Sequence, residues 1–148
     1  NNGANPCKTF LTACHEYKFK IIEFLLSKGY NIHSFNHLLI ISTCCANNIE
    51  FMKYVVKNGA NINARDDFCL KYASKNGYFE IVEFLLEQGA YVNTGADYPI
   101  RWASRNGHLN IVKLLYKHGA NVNSNDQYAL RFAIKNEHSK VIEFLLNI

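Results

Sequence analysis

Gly59-Ala60-Asn61-Ile62-Asn63, Gly89-Ala90-Tyr91-Val92-Asn93 and Gly119-Ala120-Asn121-Val122-Asn123 are three versions of one text, and Gly29-Tyr30-Asn31-Ile32-His33 is a degenerate fourth. Their leading glycines are thirty residues apart. A fixed period of this size marks a repeat architecture and decides the reading of everything around it. Eight residues before the glycines stand Ile21-Ile22, Phe51-Met52, Ile81-Val82 and Ile111-Val112, with Val141-Ile142 as a fifth pair. Four residues on come Leu25-Leu26, Val55-Val56, Leu85-Leu86, Leu115-Tyr116 and Leu145-Leu146. The i, i+1, i+4, i+5 spacing draws one apolar stripe down a short helix.

A second helix precedes each of these. Its register is set by Phe10 and Ala13, Ile40 and Thr43, Leu70 and Ala73, Ile100 and Ala103, and Leu130 and Ala133. A branched residue followed at i+3 by a small one suits close helix packing. Gly77 and Gly107 between the helices, and the repeated glycine after each pair, are expected to hold positive φ at helix ends. Lys28, Lys57, Lys117 and His118 favour the last carbonyls. Asp67 and Asp97 are expected as N-caps, with Pro99 in a first turn. Each unit is thus helix, turn, helix, short loop, and its stripes can be buried only against neighbours. The reading is an all-α solenoid of five stacked helix-turn-helix units in one array, 1–148, with units at about 8–37, 38–67, 68–97, 98–127 and 128–148. Residues 1–8 are less regular, and Gly3-Ala4-Asn5 looks like the tail of a preceding unit.

Composition agrees. The 148 residues are 49% hydrophobic, 14% aromatic and 19% charged, which excludes a disordered chain. A net charge of +4 is far from that of a polycation. The apolar runs are too short to span a bilayer, so no membrane partner is expected. The five cysteines, Cys7, Cys14, Cys44, Cys45 and Cys69, show neither a disulfide framework nor metal-ligand spacing and read as reduced thiols. The chain opens on Asn1, as a processed or excised segment would.

Two runs carry a family resemblance: Ala73-Ser74-Lys75-Asn76-Gly77-Tyr78-Phe79-Glu80-Ile81-Val82-Glu83-Phe84-Leu85-Leu86-Glu87-Gln88-Gly89-Ala90 and its counterpart from Ala103 to Ala120. They resemble the ankyrin repeat. An ankyrin unit is about 33 residues and opens T-P-L-H-x-A, so roughly three residues are missing from the β-turn finger here. The openings read Phe68-Cys69-Leu70-Lys71-Tyr72-Ala73, Tyr98-Pro99-Ile100-Arg101-Trp102-Ala103 and Tyr128-Ala129-Leu130-Arg131-Phe132-Ala133. This shortened unit is similar to the ankyrin proteins of giant DNA viruses of the Mimivirus type. The resemblance implies a non-enzymatic protein–protein interaction scaffold, cytoplasmic in an infected host, that binds through the concave face formed by the fingers and first helices.

On that face two basic rows recur, Lys71, Arg101 and Arg131, then Lys75, Arg105 and Lys135 one turn on. Asn76, Asn106 and Asn136 interleave with them, and Tyr98 and Tyr128 begin the helices beside the fingers. These eleven residues are the candidate partner-binding set, suited to an acidic or phosphorylated protein. The first two units depart from it with Leu11 and His15, then Ile41 and Cys45. Alternatively Lys71 and Arg101 pair with Asp67 and Asp97 four residues back. Tyr72, Trp102 and Phe132 read as core between repeats. His108 and His138 share their register with Tyr78, so they read as bridges across the turn and not as metal ligands. No catalytic set, cofactor motif or metal site is expected. Nucleic acid along the basic rows is the rival partner. The last helix is as apolar as the internal ones, as in a chain that continues or self-associates there; otherwise a monomer is expected.

Overall fold

The computed structural model describes residues 12–13, 18–29 and 36–148, and among them it is entirely helical. Helices α1 (Phe19–Ser27), α3 (Ile49–Lys57), α5 (Phe79–Glu87), α7 (Leu109–Lys117) and α9 (Ser139–Leu146) alternate with α2 (Asn36–Cys45), α4 (Ala64–Asn76), α6 (Thr94–Arg105) and α8 (Ser124–Lys135). Thr12 and Ala13 are helical as well, ahead of α1. Each even-numbered helix packs antiparallel to the odd-numbered one after it and lies beside the next even-numbered helix, in the order α2, α4, α6, α8. That order makes a one-dimensional stack. The even helices, the inner layer, approach one another most closely, because small residues stand at their contacts. Ala73, Ala103 and Ala133 are fully buried, as is Thr43. The odd helices, which touch one another less, are the outer layer.

The apolar stripe lies where its spacing puts it. Ile81, Val82, Leu85 and Leu86 of α5 are all buried, and Ile111, Val112 and Leu115 of α7 follow them. The edge of the stripe is open, with Ile21, Tyr116 and Leu146 exposed. A position at the rim of a 100° stripe is covered only when the neighbouring helix reaches over it. On the inner side Ile40, Leu70 and Ile100 are buried, so one continuous core threads the stack.

Glycines close the outer helices as expected. Gly59, Gly89 and Gly119 have φ of 92°, 86° and 90°. Each is followed by an amide reaching back five residues, Ala60 to Val55, Ala90 to Leu85 and Ala120 to Leu115, at 2.9–3.0 Å. Each glycine's own amide bonds three residues back, and the pair of bonds satisfies carbonyls that the helix leaves open. Asn48 caps α3 by accepting from the Phe51 amide at 2.9 Å, a cap not read from the sequence because the other copies place Lys, Tyr or His there.

The shortened finger takes an unexpected form. Arg65-Asp66-Asp67, Gly95-Ala96-Asp97 and Asn125-Asp126-Gln127 are each three successive left-handed residues, with φ between 48° and 61°. Left-handed backbone costs an ordinary L-residue about 1–2 kcal/mol, and Asn, Asp and Gly tolerate it best. Six of these nine positions are Asn, Asp or Gly, so the sequence reduces the cost. The turn also corrects the N-cap expectation. Asp67 and Asp97 sit at φ 56° and 61°, not in the extended conformation of an N-cap, and the Oδ1 of Asp97 is buried without a hydrogen-bond partner. Pro99 does lie at the start of the right-handed part of α6, where its missing N–H is harmless.

Cys44, Cys45 and Cys69 are free thiols. Cys7 and Cys14, together with Phe10, Leu11 and His15, lie outside the described residues.

Candidate functional site

Residues facing one way from α4, α6 and α8 build a row of alternating cations and rings. The ammonium of Lys75 lies 4.7 Å from the centre of the Trp102 ring. The Arg105 guanidinium also lies 4.6 Å from the centre of Trp102, and 4.8 Å from that of Phe132. Lys135 continues the series 5.7 Å from Phe132. Tyr98 stacks on Trp102 at 5.4 Å and Tyr128 on Phe132 at 4.0 Å, while the Tyr128 hydroxyl accepts a 3.0 Å hydrogen bond from Arg105 Nη1. Each cation over a ring contributes about 0.5–1 kcal/mol at an exposed site and loses rotamer freedom by being there. The row is therefore held in place before any ligand arrives.

This geometry corrects the expectation that the aromatic row is core. Tyr72 does pack against the core, 6.1 Å from Tyr78. Trp102 and Phe132 are only half-buried and stand among the cations on the inner side. The i+4 spacing from Tyr98 to Trp102 and from Tyr128 to Phe132 was the available signal, since residues one turn apart share a helix side.

The two basic rows are not equivalent. Lys71 forms an ion pair with Asp66, its side chain is 19% exposed, and its stem presses against Gly95 of the next turn. Arg131 pairs with Asp126 at 3.2 Å and also donates to the Asp126 carbonyl. Arg101 donates to the Gly95 carbonyl at 3.3 Å and lies 5.0 Å from the Tyr128 ring. The expected partners four residues back, Asp67 and Asp97, are not used. The left-handed turn swings the residue five or six positions back into reach instead. Lys75, Arg105 and Lys135 have no carboxylate partner among the described residues. The first row fastens the turns, and the second presents unneutralised charge.

The asparagines and histidines tie neighbouring units together. Asn106 Nδ2 donates to the Lys75 carbonyl at 2.6 Å and Asn136 Nδ2 to the Arg105 carbonyl at 2.9 Å. His108 and His138 bond the same two carbonyls through Nε2, at 3.1 and 2.9 Å. A carbonyl can only accept, so Nε2 carries the hydrogen in both rings. Asn76 bonds within its own helix, to Tyr72. The histidine rings also explain Gly77 and Gly107. A Cβ at either would come within 2.7 Å of His108 or His138, and both glycines have φ near 80°. The expected bridging role of the histidines holds, and it reaches across units.

Elsewhere the chemistry is quiet. Beside Cys44 the Cys69 side chain, together with burial, pushes the Cys44 thiol well above its ordinary range, and burial pushes Cys45 and the Tyr72 phenol up too. A thiol held protonated is a poor nucleophile. Among the described residues no group of His, Cys, Asp and Glu is placed to hold a metal ion, and no helix is long and apolar enough to cross a membrane.

Comparison with curated proteins finds none that matches the chain. The family model described as "Ankyrin repeats (3 copies)" matches residues 10–96 and 95–148. Those matches span most of the chain, and they coincide with the stacked helix pairs, the glycine-closed helix ends and the shared core. The chain belongs to the ankyrin-repeat family.

Proposed function

We propose that this chain is a non-enzymatic recognition module that binds a protein partner through the inner side of α4, α6 and α8. Ankyrin repeats generally mediate protein–protein interaction. The observation that carries the finer reading is the row Lys75, Trp102, Arg105, Phe132, Lys135, in which cations without carboxylate partners are held by aromatic rings. Such a surface suits an acidic protein segment, because fixed donors lose little entropy on binding. Tyr98 and Tyr128 buttress the rings, and Asn106 and Asn136 keep successive helices in register. Lys71, Arg101 and Arg131 support the site from the turns. The thirty-residue unit, similar to that of giant-virus ankyrin proteins, favours a host protein met in the cytosol as the partner.

Single-stranded nucleic acid is the weaker alternative. Base stacking needs open ring faces, and here cations occupy the faces of Trp102 and Phe132. Capture from host-cell lysate tests the reading, with wild type beside an Arg105→Glu, Lys135→Glu variant of unchanged melting temperature. The reading expects a small set of proteins retained by wild type and lost by the variant. An identical catch from both would overturn it, and capture dominated by nucleic acid that moderate salt removes would replace it with the alternative.

A further inference from the structure

Two cysteines stand at the junction where the stack is tied least. Between α4 and α6, and again between α6 and α8, an asparagine and a histidine of the later unit bond one carbonyl of the earlier unit, that of Lys75 or Arg105. Between α2 and α4 that clamp is missing among the described residues. Asn76 turns to Tyr72 in its own helix, and Tyr78 takes the place of the histidine. The same junction holds Cys44 of α2 and Cys69 of α4, both fully buried. Each thiol donates to a carbonyl of the opposite helix, Cys44 to that of Cys69 and Cys69 to that of Ile40, both at 3.5 Å. The two side chains are also neighbours of each other, and the Cys69 side chain acts on Cys44 more strongly than any other group. The later junctions carry no such pair. Ser74 and Ser104 stand in the register of Cys44, and Pro99 and Ala129 in that of Cys69.

We propose that Cys44 and Cys69 form a reversible disulfide that staples the second unit to the third, with a hydroperoxide as the oxidant. Sulfurs that already touch the opposite backbone need little movement to reach bonding geometry. One sulfur attacks the peroxide, whose O–O bond breaks to leave a sulfenic acid and one water. The other sulfur attacks the sulfenic sulfur, so that the S–S bond forms, the S–O bond breaks and a second water carries off the thiol proton. Two thiols thus lose two electrons, and one hydrogen peroxide is reduced to two waters. In the closed stack both thiols are covered, so the attack waits on opening of this junction. The finished bond closes the loop from 44 to 69 and removes open conformations that the missing clamp leaves accessible.

The experiment treats the full chain with hydrogen peroxide and maps disulfides by mass spectrometry of unreduced digests. Melting temperature is followed before oxidation, after it, and after dithiothreitol. Wild type is compared with Cys44→Ser, with Cys69→Ala, and with a Cys7→Ser, Cys14→Ser, Cys45→Ser variant that keeps only the proposed pair. Later units carry serine and alanine at those two registers, so both single variants should fold. The expected result, in wild type and in the triple variant, is an intramolecular Cys44–Cys69 link with a melting temperature raised by at least about 5 °C and restored by dithiothreitol. Neither single variant should show that gain. Thiols that stay free, links that run through Cys7, Cys14 or Cys45 instead, or sulfinic acid without a link would overturn the pairing. A link that leaves the melting temperature unchanged or lowers it would overturn the staple. If a single variant does not fold, the link map and the reversible shift in the triple variant still decide.

Discussion

Two glycines with the same backbone separate conformational from steric cost. Gly89 and Gly107 have φ of 86° and 78°, but a Cβ on Gly89 meets nothing within 4 Å, whereas one on Gly107 runs into the His138 ring. Gly89→Ala should therefore cost about 1 kcal/mol, from backbone alone. Gly107→Ala should cost clearly more, because it also dislodges the His138 bond to the Arg105 carbonyl. Glu137 occupies the corresponding turn of the last pair at φ 60°, so Glu137→Gly should be neutral or stabilising. Thermal melts of the three variants decide the ranking; equal losses at Gly89 and Gly107 would contradict the ring contact. Residue-scale chemistry also gives a pH dependence. The folded state raises the Cys44 thiol above its ordinary value of 9.0, so an unfolded chain loses that proton first. The contribution to stability is whole below pH 9 and is lost as pH rises past it. Wild type should lose stability between about pH 8 and about pH 10.5 more steeply than Cys44→Ala. Parallel slopes would mean that the thiol contributes nothing.

At the scale of the element, the paired aliphatics do what their spacing says. Leu85 and Leu115 are fully buried at equivalent places in α5 and α7. Replacing either with Ala should cost about 2–5 kcal/mol, and each kcal/mol lowers the melting point of a chain this size by about 2–4 °C. Tyr116→Ala, at the exposed rim of the same helix, should cost much less. Helix order, closing glycines and core register were legible because period and burial coincide. The left-handed turns were not. Asp-Asp and Gly-Ala-Asp ahead of an apolar run also read as N-caps, and only the packing of successive units decides between the two. For the same reason Lys71 and Arg131 find carboxylates five residues back, a spacing that no helical rule proposes. The candidate site was half-legible: the cations were found, but the rings that hold them were assigned to the core, because periodicity does not tell a half-buried face from a buried one.

At the scale of the whole molecule, the division of labour between the two basic rows is the central claim. In one row Lys71 and Arg131 are neutralised by carboxylates of the turns and Arg101 is held by a turn carbonyl, while the other row stays charged beside rings of its own or the next unit. Their separate roles predict opposite phenotypes. Lys71→Glu with Arg131→Glu should lower the melting temperature, since it sets like charges beside Asp66 and Asp126, and should leave partner binding largely intact. Lys75→Glu with Lys135→Glu removes no ion pair but loses two cation–ring contacts of about 0.5–1 kcal/mol each, so it should fold and melt only a few degrees below wild type. The most direct measurement is the affinity of a captured protein partner for these two double variants, side by side with wild type. The account predicts that reversing Lys75 and Lys135 abolishes binding in a protein that still folds cooperatively, while reversing Lys71 and Arg131 spares it. Undiminished affinity in the Lys75, Lys135 variant would contradict it and move the binding surface elsewhere on the stack.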